Sequence, residues 1–146
     1  MGIMFIRKPK PARKGKELEA LVQGHLEKIA ALKGYVWIRP DSKFRRKLGL
    51  YTDKQPCDFV LFAGNKGTWL IECKECSELI WSPEQNASEY QRESIGKSQK
   101  LGLHAGFLVW FRQYGTIEQA YRWFTVTKGK LTAQHGECWN WQKFYE

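Results

Sequence analysis

Two short apolar stretches joined by a glycine-flanked turn constrain the fold of this chain more than any other feature. The segment DFVLFAGNKGTWLIECKE, residues 58–75, predicts a β-hairpin whose turn lies at residues 64–67 (Gly-Asn-Lys-Gly). Its strands are rich in Phe, Val, Leu, Trp and Ile, yet they carry Asp58, Glu72 and Lys74. Charges in a buried strand are costly unless they are paired or bind an ion. The hairpin therefore predicts either an edge ribbon with surface ion pairs or a chemical site.

The length of the turn decides whether the three charged side chains meet. Side chains alternate across a strand, so Glu72 and Lys74 share one face and Cys73 takes the other. Asp58 joins them if a three-residue turn pairs residue 63 with 67 or 64 with 68; a symmetric two-residue turn would place Asp58 with Cys73. Because glycine at both ends of the turn accepts positive φ, we predict the odd-length turn.

Two carboxylates and one ammonium group that meet in this way define a candidate metal site. Adjacent carboxylates repel each other unless a cation lies between them, and oxygen ligands suit Mg²⁺ or Mn²⁺. A lysine beside the metal can orient or deprotonate water, or offset charge on a phosphate. We therefore predict phosphodiester hydrolysis at Asp58, Glu72 and Lys74, with a surface salt bridge as the structural alternative. Glu75 and Glu78 are expected to be ordinary surface acids.

The remaining patterns predict a mixed sheet with helices on its faces. Apolar residues at helical spacing begin after Gly15 and end at Gly34, and a polar helix is expected from Ser82 to about Leu101. Residues 105–111 form an apolar run typical of a central strand covered on both faces. The order α-β-β-β-α-β, with a further strand, predicts an α/β fold with a mixed central β-sheet flanked by helices. The predicted strands are 35–39, 58–63, 68–75, 105–111 and 121–126.

The charge of the chain favours a polyanionic partner. Twenty-four Lys and Arg against fifteen Asp and Glu leave a net charge of +9, which attracts nucleic acid, although a merely soluble basic surface is the alternative. Residues 1–14 are expected to form a basic flexible arm before a single domain of residues 15–146, and a second basic cluster spans residues 39–54. The predicted phosphate contacts are Arg7, Lys8, Lys10, Arg13, Lys14, Lys16, Lys43, Arg45, Arg46 and Lys47.

The sequence contains no apolar run typical of a secretory signal or a membrane span, so we expect a soluble cytoplasmic protein without membrane contact. Cys73 and Cys76 form a CxxC motif, but no second compact pair of ligands completes a zinc site. Free cysteines are expected, with Cys73 in the core.

Several short segments resemble known nucleases. PCDFVLFAGNKGTWLIECKE resembles the PD-(D/E)XK nuclease signature, in which an acid opens one strand and Glu-x-Lys follows on the next. Cys57 stands between Pro56 and Asp58, where the signature has adjacent Pro-Asp. Three further segments are similar to Holliday junction resolvases, especially the bacterial RecU type and its phage relatives, with some likeness to the archaeal kind. They are GKELEALVQGHL, SEYQRESIGKSQKLGLHAGFLVWF and YRWFTV, and the similarity spans about residues 15–126.

The resemblance implies a restriction-endonuclease-like core and a role for each matching residue. Asp58 and Glu72 would bind the catalytic metal, and Lys74 would assist the attacking water. Glu19 would complete the acidic cluster as a further metal ligand, and Gln91 would position other groups.

Alternatives remain open for the weaker matches. Glu19 could be a solvent-facing partner of Lys16 or Gln23, with Glu17 as the rival carboxylate, and Gln91 could be an ordinary polar residue of its helix. Ser42 falls where archaeal resolvases carry a serine and is included among the predicted nucleic-acid contacts.

The resemblance also implies a substrate, a metal and an assembly. A four-way DNA junction has approximate two-fold symmetry, so resolution by paired nicks suits a homodimer with two equal sites. Mg²⁺ is the implied cofactor, with Mn²⁺ as a substitute, and branched double-stranded DNA is the implied partner. Two alternatives stay open: another PD-(D/E)XK DNA nuclease, of restriction, repair or exonuclease type, and a non-catalytic basic DNA-binding domain.

Overall fold

A six-stranded mixed sheet forms the centre of the computed structural model, which describes residues 16–40, 57–113 and 120–146. The strands are β1 (Val36–Ile38), β2 (Phe59–Phe62), β3 (Thr68–Cys76), β4 (Ile80–Trp81), β5 (His104–Phe111), β6 (Tyr121–Phe124), β7 (Leu131–Thr132) and β8 (Glu137–Cys138). The α-helices are α1 (Lys16–Lys33), α2 (Pro83–Asn86) and α3 (Glu89–Lys100). The large sheet has the order β1-β2-β3-β5-β6-β8, and β4 pairs with β7 in a small second sheet. The predicted α/β class, a mixed sheet flanked by helices, is confirmed.

Strand β5 is the central strand that the apolar run predicts. It pairs in parallel with β3 and antiparallel with β6, and every residue of β5 after His104 is buried. The parallel pairing requires a crossover between β3 and β5, and the segment that contains β4, α2 and α3 makes this connection.

The two faces of the sheet bury separate apolar clusters. Helix α1 packs on the face that carries Phe59, Ile71 and Cys73, through the stripe that the helical spacing predicts. Helix α3 contributes Ile95 to the cluster on the opposite face, which also contains Leu70. The buried stripe of α1 consists of Leu18, Val22, Leu26 and Ile29.

The prediction of one polar helix from Ser82 to about Leu101 is wrong. The segment forms two helices, because Ala87 has extended backbone dihedral angles (φ −126°, ψ 146°). Ser88 then starts α3 with a capping box, in which its Oγ accepts from the Gln91 backbone N–H and the Gln91 side chain accepts from the Ser88 N–H. Ser82 makes no such side-chain bond. A second strong capping signal six residues after the first therefore interrupts the helix.

The aromatic C-terminal segment completes the core on the α1 side of the sheet. Residues Trp141–Phe144 form a 3₁₀ turn, and Trp139, Trp141 and Phe144 are buried in the same cluster as α1. These tryptophans and the β5 strand therefore serve core packing in the single chain.

The cysteines are free, as predicted. Cys57, Cys73 and Cys76 are buried and Cys138 is exposed, and Cys73 lies in the core on the α1 side of the sheet. Within residues 16–40, 57–113 and 120–146, no helix has the length and apolar character needed to cross a membrane.

Candidate active site

The hairpin has the three-residue turn that the sequence predicts. Gly64–Lys66 form a 3₁₀ turn, and the Ala63 N–H donates to the Gly67 carbonyl oxygen at 2.9 Å, which pairs residue 63 with 67. Gly64 and Gly67 have φ of 56° and 92°, a left-handed region that other residues rarely adopt. The register of β2 and β3 pairs Phe59 with Ile71. One residue earlier, Asp58 therefore lies opposite Glu72.

The charged residues of the hairpin line one cleft of about 370 Å³ at the end of the β2–β3 ribbon. Asp58 and Glu72 are buried, with 7% and 2% of their surface exposed, and Lys74 is partly buried. The predicted meeting of two carboxylates and one ammonium group is present in the folded chain. The cleft is lined by Glu19, Asp58, Glu72, Cys73, Lys74, Glu75 and Asn86.

Asp58 precedes β2 and bonds across to the neighbouring strand. Its Oδ2 accepts a hydrogen bond of 2.8 Å from the Cys73 backbone N–H, which fixes the carboxylate at the ribbon's end. Burial raises the pKa of both Glu72 and Glu19, and from this position the negative charge of Asp58 raises both further. Asp58 therefore interacts with both of the other acids that are candidate metal ligands.

Glu72 is the most deeply buried acid of the site. Its Oε1 accepts from Gln91 Nε2 at 3.0 Å and lies 3.6 Å from Lys74 Nζ. Its Oε2 is buried without a hydrogen-bond partner among the described residues. Burial, and then the charge of Asp58, raise the pKa of Glu72 well above its usual value near 4.5, although Lys74 acts in the opposite direction. A buried carboxylate with one unpaired oxygen is a favourable place for a cation.

Gln91 links the helix cap of α3 to the two functional groups of β3. Lys74 Nζ donates to Gln91 Oε1 at 3.2 Å, and the same oxygen accepts from the Ser88 backbone N–H at 3.1 Å. Because Gln91 Nε2 donates to Glu72, the amide bridges Lys74 and Glu72 while the capping box holds it in place. Gln91 is therefore in contact with the candidate site, as its predicted positioning role requires, and that role stays a prediction.

Glu19, rather than Glu17, lines the cleft. Glu19 Oε1 accepts from Arg39 Nη2 at 2.7 Å, and its Oε2 lies 3.7 Å from Lys16 Nζ. Burial and the charge of Asp58 raise the pKa of Glu19, while Lys16 and Arg39 lower it. Glu17 is directed elsewhere and pairs with Arg112 at 2.9 Å.

The prediction that Glu75 is an ordinary surface acid is wrong. Only 3% of its side chain is exposed, and its Oε2 lies 3.0 Å from Arg112 Nη2. Its Oε1 accepts a long bond of 3.4 Å from the Leu18 backbone N–H in the first turn of α1. An acid at a helix N-terminus offsets unpaired backbone donors, so Glu75 anchors α1 to the sheet. Glu78 is exposed, as expected.

The donor set of the cleft, two carboxylates with a lysine beside them, fits a hard divalent cation. Within the part of the chain that the structure describes, no group of three or more His, Cys, Asp or Glu residues is arranged to hold a metal ion. Mg²⁺ does not need three protein ligands, because it retains several waters and commonly uses one or two carboxylates with phosphate oxygens. Asp58 and the unpaired Oε2 of Glu72 match that requirement. Glu19 is a neighbour whose oxygens are engaged by Arg39 and Lys16.

The predicted DNA contacts fall almost entirely outside the described residues. Of them, only Lys16 is described; its side chain is 70% exposed beside Glu19. Sequence reasoning missed Arg39 as the partner of Glu19 and Asn86 as a residue of the cleft. Arg39 lies in the basic cluster that the sequence indicated, whereas nothing in the sequence marked Asn86. The contacts outside the described residues are Arg7, Lys8, Lys10, Arg13, Lys14, Ser42, Lys43, Arg45, Arg46 and Lys47.

Comparison with known proteins finds a likeness only to solved structures. No protein-family model and no curated protein matches the chain. Among solved structures, the chain is similar to Hjc, a Holliday junction resolvase from the archaeal hyperthermophile Archaeoglobus fulgidus. The TM-score is 0.49, with 19% sequence identity, over 80% of this chain and 85% of that chain. Identity this low carries no residue role from one protein to the other.

Proposed function

We propose that this protein is a metal-dependent DNA endonuclease of the PD-(D/E)XK type that resolves four-way junctions by paired symmetric nicks. The observation that carries the proposal is the convergence of Asp58, Glu72 and Lys74 on one cleft. The register of the hairpin places the acids opposite each other, and the unpaired oxygen of Glu72 gives a cation a reason to bind. A surface salt bridge, the structural alternative, would not bury both carboxylates.

The side chains divide the work of phosphodiester hydrolysis between metal binding and proton handling. Asp58 and Glu72 would hold Mg²⁺, or Mn²⁺ as a substitute, with Glu19 as a further ligand once it leaves Arg39. When bound, such a cation polarises the scissile phosphate and lowers the pKa of a coordinated water. Lys74, held by Gln91 and Glu72, would orient that water and offset charge on the phosphate.

The charge of the chain and the symmetry of the substrate support the choice of DNA and of a dimer. A net charge of +9 favours phosphate binding, and the basic segments 1–14 and 43–47 would contact the junction arms. A homodimer would present two equal sites to opposed strands of the junction. The setting we propose is the cytoplasm, where DNA is available and thiols stay reduced.

One cleavage assay separates this function from its competitors. The protein is incubated with a synthetic four-way junction, a linear duplex and a flap substrate, each with Mg²⁺ or with EDTA. Paired nicks in the junction alone, lost with EDTA, are expected. Degradation of the linear duplex would favour a different PD-(D/E)XK nuclease, and binding without cleavage of any substrate would favour a non-catalytic DNA-binding domain.

Replacement of Asp58 tests the site itself. We expect Asp58→Asn to lower the cleavage rate by roughly 100-fold or more, because the change removes a metal ligand. Junction binding in EDTA should be retained, because no lysine or arginine that could contact the DNA is removed. Mg²⁺ should raise the thermal midpoint of the wild type and not that of the variant, since ligands stabilise only the state that binds them. Glu78→Gln is the matched control, because Glu78 is exposed beyond the same strand. Full activity of Asp58→Asn would remove the proposed site.

A further inference from the structure

A second surface lies along α3, separate from the cleft that the acids line. One face of the helix and the loop after β6 enclose a groove of about 610 Å³, which we call the α3 groove. Four cations line it, Arg92, Lys97, Lys100 and Lys128, together with the carboxylates of Glu89 and Glu93. The groove therefore has an excess of positive charge at the surface of a basic protein.

The cations of the α3 groove are not used within the described chain. None of their side chains forms an ion pair or a hydrogen bond with residues 16–40, 57–113 or 120–146. Lys97, Lys100 and Lys128 are exposed, whereas Arg92 Nε is buried without a hydrogen-bond partner among these residues. A buried guanidinium nitrogen that lacks an acceptor is costly, and a rotation of the Arg92 side chain toward an anion in the groove would remove that cost.

The spacing of the cations fits the backbone of a nucleic-acid strand. Arg92, Gly96, Lys97 and Lys100 recur at intervals of one to four residues on one helix face. At 1.5 Å of rise per residue, Arg92 and Lys100 are about 12 Å apart along the helix. Phosphates of one DNA strand recur about every 3.4 Å along the duplex axis, so a helix face laid parallel to that axis would span three to four of them. Around Gly96, no atom beyond the flanking residues and the backbone of the helix itself lies within 4 Å of the place a Cβ would take, which leaves room for close approach.

The α3 groove begins beside the candidate active site. Gln91, in the first turn of α3, contacts both Glu72 and Lys74, and Arg92 is the next residue. The groove then follows the helix away from the acids. A duplex whose scissile phosphate lay at the acids could therefore continue along this face.

We propose that the α3 groove binds the phosphate backbone of double-stranded DNA next to the bond that is cut. The inference rests on the proposed function for the identity of the nucleic acid, and it adds a contact surface that is distinct from the basic segments 1–14 and 43–47. The two acids in the groove keep the affinity of this surface modest, so it positions one duplex arm rather than supplying all of the binding energy.

The test compares two pairs of lysines on two helices. In an Asp58→Asn background with EDTA, binding of a labelled four-way junction and a linear duplex is measured by fluorescence anisotropy over a range of salt concentrations. We expect Lys97→Ala/Lys100→Ala to weaken duplex binding by roughly tenfold or more at 0.1 M salt and to reduce the salt slope by about two. Lys28→Ala/Lys33→Ala removes the same charge from α1, away from the groove, and should have a smaller effect.

Two further variants test whether the charge in the α3 groove causes the change in DNA affinity. Glu93→Gln should tighten binding, because it removes a carboxylate from the same groove, and Lys97→Arg/Lys100→Arg should retain binding. Circular dichroism checks that the variants keep their helix content. Equal losses in the two lysine pairs would mean a general charge effect and would overturn the proposal, as would weaker binding by Glu93→Gln.

The outcomes for this inference and for the proposed function are distinguishable. Absence of cleavage by the wild type with Mg²⁺, while duplex binding still depends on Lys97 and Lys100, would remove the function and support the groove. Junction cleavage with unchanged binding by Lys97→Ala/Lys100→Ala would remove the groove and support the function. An RNA duplex of the same sequence that competes better than the DNA would also overturn the assignment of the groove to DNA.

Discussion

The residue that most distinguishes this site from an ordinary ion pair is Glu72. Lys74 lies 3.6 Å from one of its oxygens and Gln91 donates to the same oxygen, while the other oxygen has no partner among the described residues. Burial raises the pKa of the carboxyl group, and Asp58 raises it further. A bound cation would therefore stabilise the ionised form of Glu72. Without a cation, the buried carboxylate lowers the stability of the folded protein.

The raised pKa of Glu72 predicts a specific pH dependence of stability. In the unfolded chain the group titrates near its usual value of 4.5, and in the folded protein it titrates at higher pH. The folded state therefore binds more protons between these values, so the free energy of unfolding falls as pH rises through that window. In EDTA, Glu72→Gln should be more stable than the wild type at neutral pH and should lose this advantage below about pH 4.5.

Urea unfolding at several pH values, with and without Mg²⁺, checks this prediction. Mg²⁺ should stabilise the wild type and not Glu72→Gln. A difference between the two proteins that stays constant across pH would contradict the assignment of the titration to Glu72.

Two substitutions separate the role of Gln91 in the candidate site from its role in the helix cap. Gln91→Ala removes both the bridge between Lys74 and Glu72 and one half of the capping box. We expect a loss of about 10- to 100-fold in cleavage rate or metal affinity, as for other residues that orient metal-binding groups. Ser88→Ala is the control, because it weakens the cap by about 1 kcal/mol and leaves the Gln91 bridge intact.

Cleavage rates and urea unfolding of both variants decide the matter. Equal rates for the wild type and Gln91→Ala, despite lower stability, would leave Gln91 with a structural role alone.

At the scale of elements, the close approach of β5 and β6 places a strict demand on one residue of the sheet. A Cβ at Gly106 would lie 2.5 Å from the Phe124 carbonyl oxygen and 2.8 Å from the Trp123 ring, so the neighbouring backbone would have to shift. We expect Gly106→Ala to lower the free energy of unfolding by roughly 1–3 kcal/mol.

Gly24 on α1 is the matched control for this prediction. Beyond its neighbours in the chain and the backbone of α1 itself, no atom lies within 4 Å of its Cβ position. Gly24→Ala should therefore raise stability by about 0.5–1 kcal/mol through helix propensity. Chemical denaturation of both variants gives the comparison. A Gly106→Ala protein as stable as the wild type would mean that β5 and β6 are not in such close contact at this residue.

Local turn and capping signals explain where the prediction of strands and helices from the sequence succeeded and where it failed. The hairpin turn was predictable because glycine at positions 64 and 67 permits the φ values that a three-residue turn needs. The break between α2 and α3 was missed because two capping signals compete, at Ser82 and Ser88. The second prevailed, since its capping box with Gln91 satisfies two backbone groups and also places the Gln91 amide at Glu72.

For the whole molecule, the basic cluster before the hairpin leads to a binding prediction that does not depend on catalysis. Replacement of Arg45, Arg46 and Lys47 by alanine should weaken junction binding and flatten its dependence on salt, because fewer counterions are released from the DNA. Anisotropy titrations between low and moderate salt measure both quantities. An unchanged salt slope would remove these residues, which lie outside the described part of the chain, from the DNA contact surface.

The sequence by itself determined the parts of this protein that depend on local rules. Alternation along a strand and the φ demands of a glycine-flanked turn act over a few residues, and they were sufficient to place Asp58, Glu72 and Lys74 on one face. Helical spacing likewise identified the buried stripe of α1, and the apolar run of residues 105–111 identified the central strand.

Only the tertiary structure decided which distant groups complete the site. Glu19 rather than Glu17 reaches the cleft, where Arg39 donates a hydrogen bond to it. The side chain of Glu75 is buried against α1 and Arg112. These contacts depend on how α1 lies across the sheet. Contacts between segments far apart in the chain leave no periodic trace in sequence. The orientation of packed elements, rather than local preference, sets them.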